Sequence, residues 1–307
     1  MKFTGTYTAL ITPFQRGRVD EAAFKNLVRE QIRGGVDGIV PTGTTGESPT
    51  LEFNEHIRVI ELAVQTAKGK IKVLAGTGAN STAEAIELTQ AAEAVGADGS
   101  LLVAPYYNKP SQEGLFQHFK KIAKATKLPI VLYSIPGRCN IAIEVATVTR
   151  LAKACKNIVG IKEAGGDADR VSQLRQALGQ AFSILSGDDA LTLPFMSLGA
   201  EGVISVASNI IPRQLSRMIN SYTTGKTAAA LKLHQQYYPM FRDLFIETNP
   251  VPAKAALAMQ GKCAEEYRLP LCKMSADNRK RLAKTLKSCG VISVSYTHLT
   301  LPTICSV

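Results

Sequence analysis

The most constraining feature of this chain is a regular alternation of short apolar runs with longer amphipathic segments over its first 224 residues. The runs are rich in Val, Ile, Leu and Ala, which is typical of strands covered on both faces of a parallel sheet. The longer segments carry apolar residues at helical spacing. We predict strands at residues 7–11, 38–40, 71–75, 99–103, 130–133, 158–162, 182–185 and 202–205. We predict a helix after each strand, at residues 21–34, 53–67, 82–95, 111–125, 143–154, 167–178, 190–198 and 213–222.

Eight consecutive strand–helix units predict an α/β fold in which a parallel sheet closes into a (β/α)8 barrel, the TIM barrel. A doubly wound open sheet is the alternative. It is disfavoured because no Gly-x-Gly-x-x-Gly motif follows the first strand. The nearest candidate, at residues 76–81, lacks the third glycine and follows the third strand.

The alternation stops after Gly225, where helices are predicted at residues 227–245, 251–260 and 276–289 with no strands between them. The last stretch, from residue 291 onward, carries no Asp, Glu, Lys or Arg and resembles vector or adapter read-through. We therefore predict three parts. They are a barrel with the functional site over residues 1–224, a small C-terminal helical region over 225–292, and a non-native tail over 293–307.

Charge and hydropathy exclude several classes of partner. The net charge of +11 is spread over helices, with acidic residues between most basic clusters and no aromatic interleaving or recognition motif. We therefore predict no nucleic-acid partner and attribute the charge to solubility and attraction of anionic substrates. No apolar run approaches the roughly 20 residues of a membrane span, and the first residues form no signal peptide. A cytoplasmic protein without a membrane partner is expected.

The six cysteines and four histidines show no metal-ligand spacing, since the sequence contains neither a C-x-x-C nor an H-E-x-x-H motif. In a cytosolic chain such cysteines are expected to be reduced thiols. We therefore predict no catalytic metal.

Lys162 ends an apolar run and is the first candidate for chemistry. An amine at the mouth of a buried strand is partly desolvated, which lowers its pKa from the usual value of about 10.4. A neutral amine can attack a ketone carbonyl and form a Schiff base. The plainer alternative is a lysine that ends a strand and points into water.

Polar residues follow the neighbouring strands at the same end of the predicted barrel, where the active sites of such barrels lie. The glycine- and threonine-rich loop at residues 43–46 lets backbone amides and hydroxyls approach a carboxylate. Tyr133 ends the strand beside that of Lys162 and can exchange protons. Arg138 can hold a carboxylate in a bidentate pair. Each residue alone could be a turn, packing or a surface charge, but their joint occurrence favours a site.

Seven segments carry a resemblance to a known family. They are GTTGES at 43–48, GTGANSTAEAI at 76–86, PYYNKPSQEGL at 105–115, LYSIPGR at 132–138, GIKEA at 160–164, SGDD at 186–189 and GVISV at 202–206. Together they resemble the pyruvate-dependent class I aldolases typified by dihydrodipicolinate synthase and N-acetylneuraminate lyase, and most closely the dihydrodipicolinate synthase branch. The resemblance spans roughly residues 2–292.

This resemblance implies a lyase that condenses pyruvate with L-aspartate 4-semialdehyde in the diaminopimelate route to lysine. It implies a covalent Schiff base on the enzyme in place of a cofactor, and a homotetramer built as a dimer of tight dimers. It also implies lysine as an inhibitor. The alternatives are a related aldolase acting on a sialic acid or sugar keto acid, and a catalytically silent barrel with a structural or binding role.

The resemblance also assigns residues. The catalytic set is Lys162, Tyr133, Thr44 and Tyr107, with Lys162 forming the Schiff base. Thr44 would link Tyr133 to a Tyr107 donated by the neighbouring subunit. The substrate-binding set is Thr45 for the pyruvate carboxylate, Arg138 for the semialdehyde carboxylate, Ile204 for its carbonyl beside the lysine, and Gly187. The lysine-inhibition set is Ser48, His56, Asn80, Glu84 and Tyr106.

The chain departs from the family pattern at three places. Phe53 stands where lysine-sensitive members often have a second histidine, and Pro49 replaces a small residue. After Arg138 the family commonly continues with Thr-Gly, whereas this chain has Cys139 and Asn140. These departures bear on lysine sensitivity and on the shape of the entrance for the second substrate.

Overall fold

The computed structural model describes residues 2–292, in which eight parallel strands close into a barrel. The strands are β1 (Gly5–Ala9), β2 (Gly38–Val40), β3 (Lys72–Gly76), β4 (Gly99–Val103), β5 (Ile130–Ser134), β6 (Ile158–Glu163), β7 (Ser183–Ser186) and β8 (Gly202–Ser205). Each strand pairs with the next along the chain, and β1 pairs with β8 to close the ring. The predicted (β/α)8 barrel is therefore confirmed, and the doubly wound alternative is wrong.

Helices surround the barrel and extend beyond it. They are α1 (Glu21–Gly34), α2 (Phe53–Ala67), α3 (Thr82–Ala94), α4 (Gln112–Lys124), α5 (Pro136–Cys139), α6 (Val145–Ala154), α7 (Ala168–Leu178), α8 (Thr192–Ser197), α9 (Pro212–Thr223), α10 (Thr227–Asp243), α11 (Val251–Met259) and α12 (Ala276–Ser288). The sequence did not predict α5 or the short hairpin of Phe14–Gln15 and Arg18–Val19. Both are too short to show a hydrophobic period.

Local sequence signals set the helix ends. The side chain of Asp20 accepts a hydrogen bond from the backbone N–H of Ala23 at 2.9 Å, and Ser81, Ser111 and Ser275 cap α3, α4 and α12 in the same way. Gly35 ends α1 with a φ of 74°, a conformation that glycine adopts without steric cost. These caps fix the residues at which α1, α3, α4 and α12 begin and at which α1 ends.

Apolar side chains fill the amino-terminal end of the barrel. Phe3 and Tyr7 are fully buried there, with ring centroids 5.9 Å apart. Tyr7 needs the glycine at position 38, because a Cβ at that position would lie 2.3 Å from the ring. The polar residues of the strand ends lie at the opposite end. The fold therefore leaves its functional end at the carboxyl termini of the strands.

The three C-terminal helices pack on the barrel wall. Buried residues of α10, α11 and α12 share one apolar cluster with residues of α1, α2 and α9. The division at residue 224 stays a prediction, and the tail at 293–307 lies outside the described residues. Among the described helices, none is long and apolar enough to cross a membrane. Within residues 2–292 the five cysteines are free, and no cluster of three or more potential metal ligands occurs.

Candidate active site

Lys162 lies at the carboxyl end of β6 and is buried, with 6% of its surface exposed. Burial lowers the pKa of Lys162 to about 7. The Asp189 carboxylate acts in the opposite direction, and the Arg138 guanidinium adds to the decrease. A large fraction of Lys162 is therefore an uncharged, nucleophilic amine at neutral pH.

Tyr133 lies directly beside Lys162, because the two residues are register partners on the adjacent strands β5 and β6. The Nζ atom of Lys162 is 4.1 Å from the centroid of the Tyr133 ring. Burial raises the pKa of Tyr133 to about 12, opposed by the charge of Arg138 and by a hydrogen bond with Thr44. The phenol therefore stays protonated at neutral pH and can give a proton to an oxygen that forms beside the amine.

The loop after β2 presents several hydrogen-bond donors. Thr45 is buried, and its Oγ1 accepts a hydrogen bond from Asn249 Nδ2 at 2.9 Å, which leaves the hydroxyl proton free to donate. Within residues 2–292, no group accepts a hydrogen bond from the backbone N–H of Thr44 or Thr45. This combination of a hydroxyl and two amides suits a carboxylate.

Asn249 connects this loop to Arg138. Its side chain donates to Thr45, and its backbone carbonyl accepts a hydrogen bond from Arg138 Nη2 at 3.0 Å. Asn249 is itself buried, just before α11. A residue of the C-terminal region therefore holds two groups that can bind carboxylates.

Gly187 and Asp189 follow β7 and flank the lysine. A Cβ on Gly187 would lie 3.1 Å from Cε of Lys162 and 2.6 Å from Cβ of Ala164, so glycine gives the amine its room. Asp189 accepts hydrogen bonds from Ser205 Oγ at 2.5 Å and from the backbone N–H of Ala207 at 2.9 Å. Burial raises the pKa of Asp189 to about 6. When Asp189 is charged, it raises the pKa of Lys162, so protonation of Asp189 would favour the neutral amine.

Ile204 and Tyr107, two further residues of the predicted site, lie in contrasting surroundings, one in the barrel interior and the other on the surface. Ile204 lies on β8, fully buried in the interior cluster that also contains Tyr133 and Leu185. Tyr107 follows β4 with a φ of 73° and is 91% exposed, so it stands apart from the lysine cluster of its own chain.

Two neighbouring cavities open at this end of the barrel. The first, of about 210 Å³, is lined by Thr44, Tyr133 and Arg138, among others. The second, of about 330 Å³, is lined by four of the five residues predicted for lysine inhibition, which are Ser48, His56, Glu84 and Tyr106. The fifth, Asn80, donates from Nδ2 to the carbonyl of Tyr106 at 3.2 Å. Ser48, Pro49, Gly78 and Tyr106 line both cavities and form a shared wall.

Residues 2–289 match the sequence model of the dihydrodipicolinate synthetase family. The chain belongs to this family. A relative from Endomicrobium trichonymphae, named 4-hydroxy-tetrahydrodipicolinate synthase, is 52% identical over 290 residues, which cover 94% of this chain and 99% of the relative. The dihydrodipicolinate synthetase family therefore accounts for nearly the whole described chain.

Solved structures of the dihydrodipicolinate synthetase family agree with this assignment. The 4-hydroxy-tetrahydrodipicolinate synthase of Methylacidiphilum fumariolicum SolV superposes with a TM-score of 0.93 at 58% identity, covering 94% of this chain and 96% of that one. The enzyme of Cyanidioschyzon merolae, solved with lysine bound, gives a TM-score of 0.92 at 42% identity, covering 94% and 99%. The predicted family and the predicted enzyme class, a class I aldolase-type lyase, are confirmed. The individual roles of the site residues stay predictions.

The sequence reasoning missed two residues of this dihydrodipicolinate synthetase site. Asp189 belongs to the SGDD segment that carried the resemblance, but its burial beside Lys162 is a tertiary feature. Asn249 lies among the prolines of the C-terminal region, where Thr248, Asn249 and Pro250 interrupt the helical pattern. An Asn-Pro pair signals a turn, and that was the one local sign that this segment has a special geometry.

Proposed function

We propose that this member of the dihydrodipicolinate synthetase family condenses pyruvate with L-aspartate 4-semialdehyde through a Schiff base on Lys162, without a cofactor. The observation that carries the proposal is the pairing of a buried amine of lowered pKa with the Tyr133 phenol, next to a loop of unpaired amides. This pairing supplies a nucleophile and a proton donor side by side, and the loop supplies the carboxylate site.

The reaction begins when Nζ of Lys162 attacks C2 of pyruvate. The carbonyl electrons move to the oxygen, which takes two protons, one from the attacking amine relayed through Tyr133 and one from the Tyr133 phenol itself, and then leaves as water to give the iminium. Loss of a proton from C3 gives an enamine, whose C3 attacks the aldehyde carbon of the semialdehyde. The amino group of the second substrate then attacks C2, closes the ring and releases Lys162. Tyr133 serves both proton steps because it lies against the amine.

Two anion sites orient the substrates. Thr45 and the amides of the loop hold the pyruvate carboxylate, and Arg138 holds the carboxylate of the semialdehyde. Gly187 keeps the space in which Lys162 moves between its free and covalent forms. The carbonyl of Ile204 lies beside the lysine in this scheme.

Tyr107 completes the relay from a second subunit. Its 91% exposure fits a side chain that reaches into the neighbour's site, where Thr44 would link it to Tyr133. We therefore propose a homotetramer made of two tight dimers, in which each tight dimer exchanges its Tyr107 side chains.

Lysine is the proposed inhibitor, bound in the second cavity. Glu84 offers a carboxylate to an ammonium group, and Ser48 offers a hydroxyl. His56 is buried, and its Nε2 makes a hydrogen bond with the carbonyl of Gly76 at 2.7 Å. A relative solved with lysine bound supports this choice of ligand. Phe53 and Pro49 contribute apolar walls, and we expect them to set how tightly lysine binds.

A coupled product assay tests the proposed reaction. The protein is mixed with pyruvate and L-aspartate 4-semialdehyde, dihydrodipicolinate reductase and NADPH are added, and the loss of NADPH absorbance is followed. Steady NADPH consumption that requires both substrates supports the proposal. Absence of consumption, with pyruvate still trapped on the protein by borohydride, would point to a different aldehyde acceptor. Absence of both would contradict the Schiff-base chemistry.

A further inference from the structure

The carboxylate-binding loop is bracketed by two residues in an unfavourable backbone conformation. Thr42 has a φ of 54° and Glu47 a φ of 55°, in the left-handed region that non-glycine residues avoid. Such residues persist where the surrounding structure holds them in place. The Thr42 hydroxyl is held by the carbonyl of Gly76 at 3.0 Å. Glu47 is held by its side chain, which points away from the substrate cavity into the C-terminal region.

Glu47 forms a buried ion pair with Lys254 of α11. The side chain of Lys254 is fully buried and that of Glu47 is 1% exposed. The Lys254 ammonium also donates to the carbonyl of Glu266 at 3.0 Å and lies 4.0 Å from the centroid of the Phe14 ring. A buried charge is costly without its partner, so each of the two residues fixes the position of the other.

The segment around Glu266 and Arg268 closes over this pair. The backbone N–H of Arg268 donates to Glu47 Oε2 at 3.3 Å, and its guanidinium donates to the carbonyl of Thr50 at 2.7 Å. The carboxylate of Glu266 accepts from the backbone N–H of Arg16 at 2.9 Å. Arg268 thus ties the loop after β2 to the C-terminal region at Glu47 and Thr50, and Glu266 ties the hairpin after β1 to the same segment.

We propose that Glu47 and Lys254 are positioning residues that hold Thr44 and Thr45 in the geometry that binds the carboxylate of pyruvate. The link is short, because the N–H of Glu47 donates to the carbonyl of Thr44 at 3.1 Å and closes the turn that contains both threonines. A Glu47 released from Lys254 would leave its left-handed conformation and turn these donors away. This inference rests on the proposed pyruvate chemistry of the site.

The test uses the full chain and three variants. Lys254→Met leaves the Glu47 carboxylate without its ion-pair partner, whereas the double variant Glu47→Gln with Lys254→Met removes both charges together. Asp243→Asn is the matched control, since Asp243 is a buried carboxylate of the C-terminal region bonded to Arg281 and Thr285, away from the loop. The melting temperature, kcat, both KM values and the pyruvate dependence of borohydride trapping are measured for each protein.

We expect the KM for pyruvate, and the pyruvate concentration for half-maximal trapping, to rise about tenfold in both Lys254 variants. The kcat value and the KM for the semialdehyde should change by less than about twofold. The double variant should melt closer to the unaltered protein than Lys254→Met, because it buries no unpaired charge. Asp243→Asn should lower the melting temperature and leave the KM for pyruvate unchanged.

Three results would overturn the positioning role. One is an unchanged KM for pyruvate in the folded double variant, and another is an equal rise of that KM in Asp243→Asn. The third is a double variant that does not fold, which would make the pair a structural requirement. Trapping by the unaltered protein is measured in parallel. Its absence would contradict the proposed function itself, whereas normal trapping with unchanged variants would reject the positioning role alone.

Discussion

The amine of Lys162 rests on the face of the Tyr133 ring, 4.1 Å from its centroid, and the two residues are register partners on adjacent strands. The hydrogen bonds between the two parallel strands hold their backbones in this register. The proposed nucleophile and proton donor therefore lie beside each other before any substrate enters, which favours proton transfer between them.

Lys162→Ala should abolish covalent trapping of pyruvate by borohydride, because the amine that lies beside Tyr133 is that of Lys162. Mass spectrometry of the trapped protein measures the outcome. Lys153→Ala is the control, since Lys153 is an exposed lysine on α6 and should leave trapping unchanged. Persistent trapping in Lys162→Ala, at any other lysine, would overturn the central assignment.

The rate of trapping should depend on pH with a midpoint near 7. The pKa of Lys162 is lowered to about 7, and only the neutral amine attacks the carbonyl. Below that midpoint the neutral fraction falls about tenfold for each pH unit, and above it the rate should level off. Trapping rates at low pyruvate concentration, followed from pH 5.5 to 9, measure this profile. A midpoint above about 9 would show that the amine has an ordinary pKa.

Tyr133→Phe should still bind pyruvate but turn over about 10²- to 10⁴-fold more slowly, the usual cost of losing a general acid–base group. The phenyl ring keeps the packing against Lys162, so the melting temperature should change little. The coupled NADPH assay measures turnover, and pyruvate titration measures binding. Near-normal turnover would remove Tyr133 from the proton relay.

Asn249→Ala and Arg138→Ala should affect different substrates. Asn249→Ala removes the hydrogen bond that orients the Thr45 hydroxyl but keeps the backbone carbonyl that binds Arg138. We therefore expect the KM for pyruvate to rise by about three- to tenfold in Asn249→Ala, as for one lost hydrogen bond. Arg138→Ala should instead raise the KM for the semialdehyde by a larger factor. Steady-state kinetics with each substrate varied in turn measure both KM values. If the two variants raised these KM values equally, one of the two residues would not bind the substrate assigned to it.

The barrel and half of its site are predictable because they depend on local pattern. Strand and helix periods are visible in short windows, and a closed parallel barrel brings every strand end to one face. Lys162, Tyr133 and the loop at 43–46 could therefore be placed together from the sequence. The sequence places Tyr107 on the loop after β4, but only the structure shows that its side chain is exposed.

The contacts from the C-terminal region could not be predicted in this way. Asn249 bonds Thr45 across 204 positions of sequence, and Lys254 pairs with Glu47 across a similar separation. No periodicity encodes such pairs, and a buried lysine in α11 looks like any helical lysine. Residues of the predicted helical appendage therefore contact the carboxylate-binding loop directly.

The departure at Cys139 and Asn140 has a partial explanation in the backbone. Asn140 ends α5 with a φ of 57°, a left-handed conformation that asparagine tolerates better than other non-glycine residues. It can therefore replace the family's usual glycine without remodelling the turn. Cys139 is buried, with its Sγ 3.1 Å from the carbonyl of Ala104, and lines the first cavity.

The plug of Phe3 and Tyr7 at the amino-terminal end has a consequence for the order of events. Within residues 2–292 these two side chains fill the amino-terminal end of the barrel. Small molecules therefore reach Lys162 from the carboxyl ends of the strands. In the proposed reaction, pyruvate therefore enters, and the water released with the iminium leaves, at the carboxyl ends of the strands. A semialdehyde that arrived first would stand in the way of both. In the proposed reaction, access from one end alone favours binding of the keto acid before the semialdehyde.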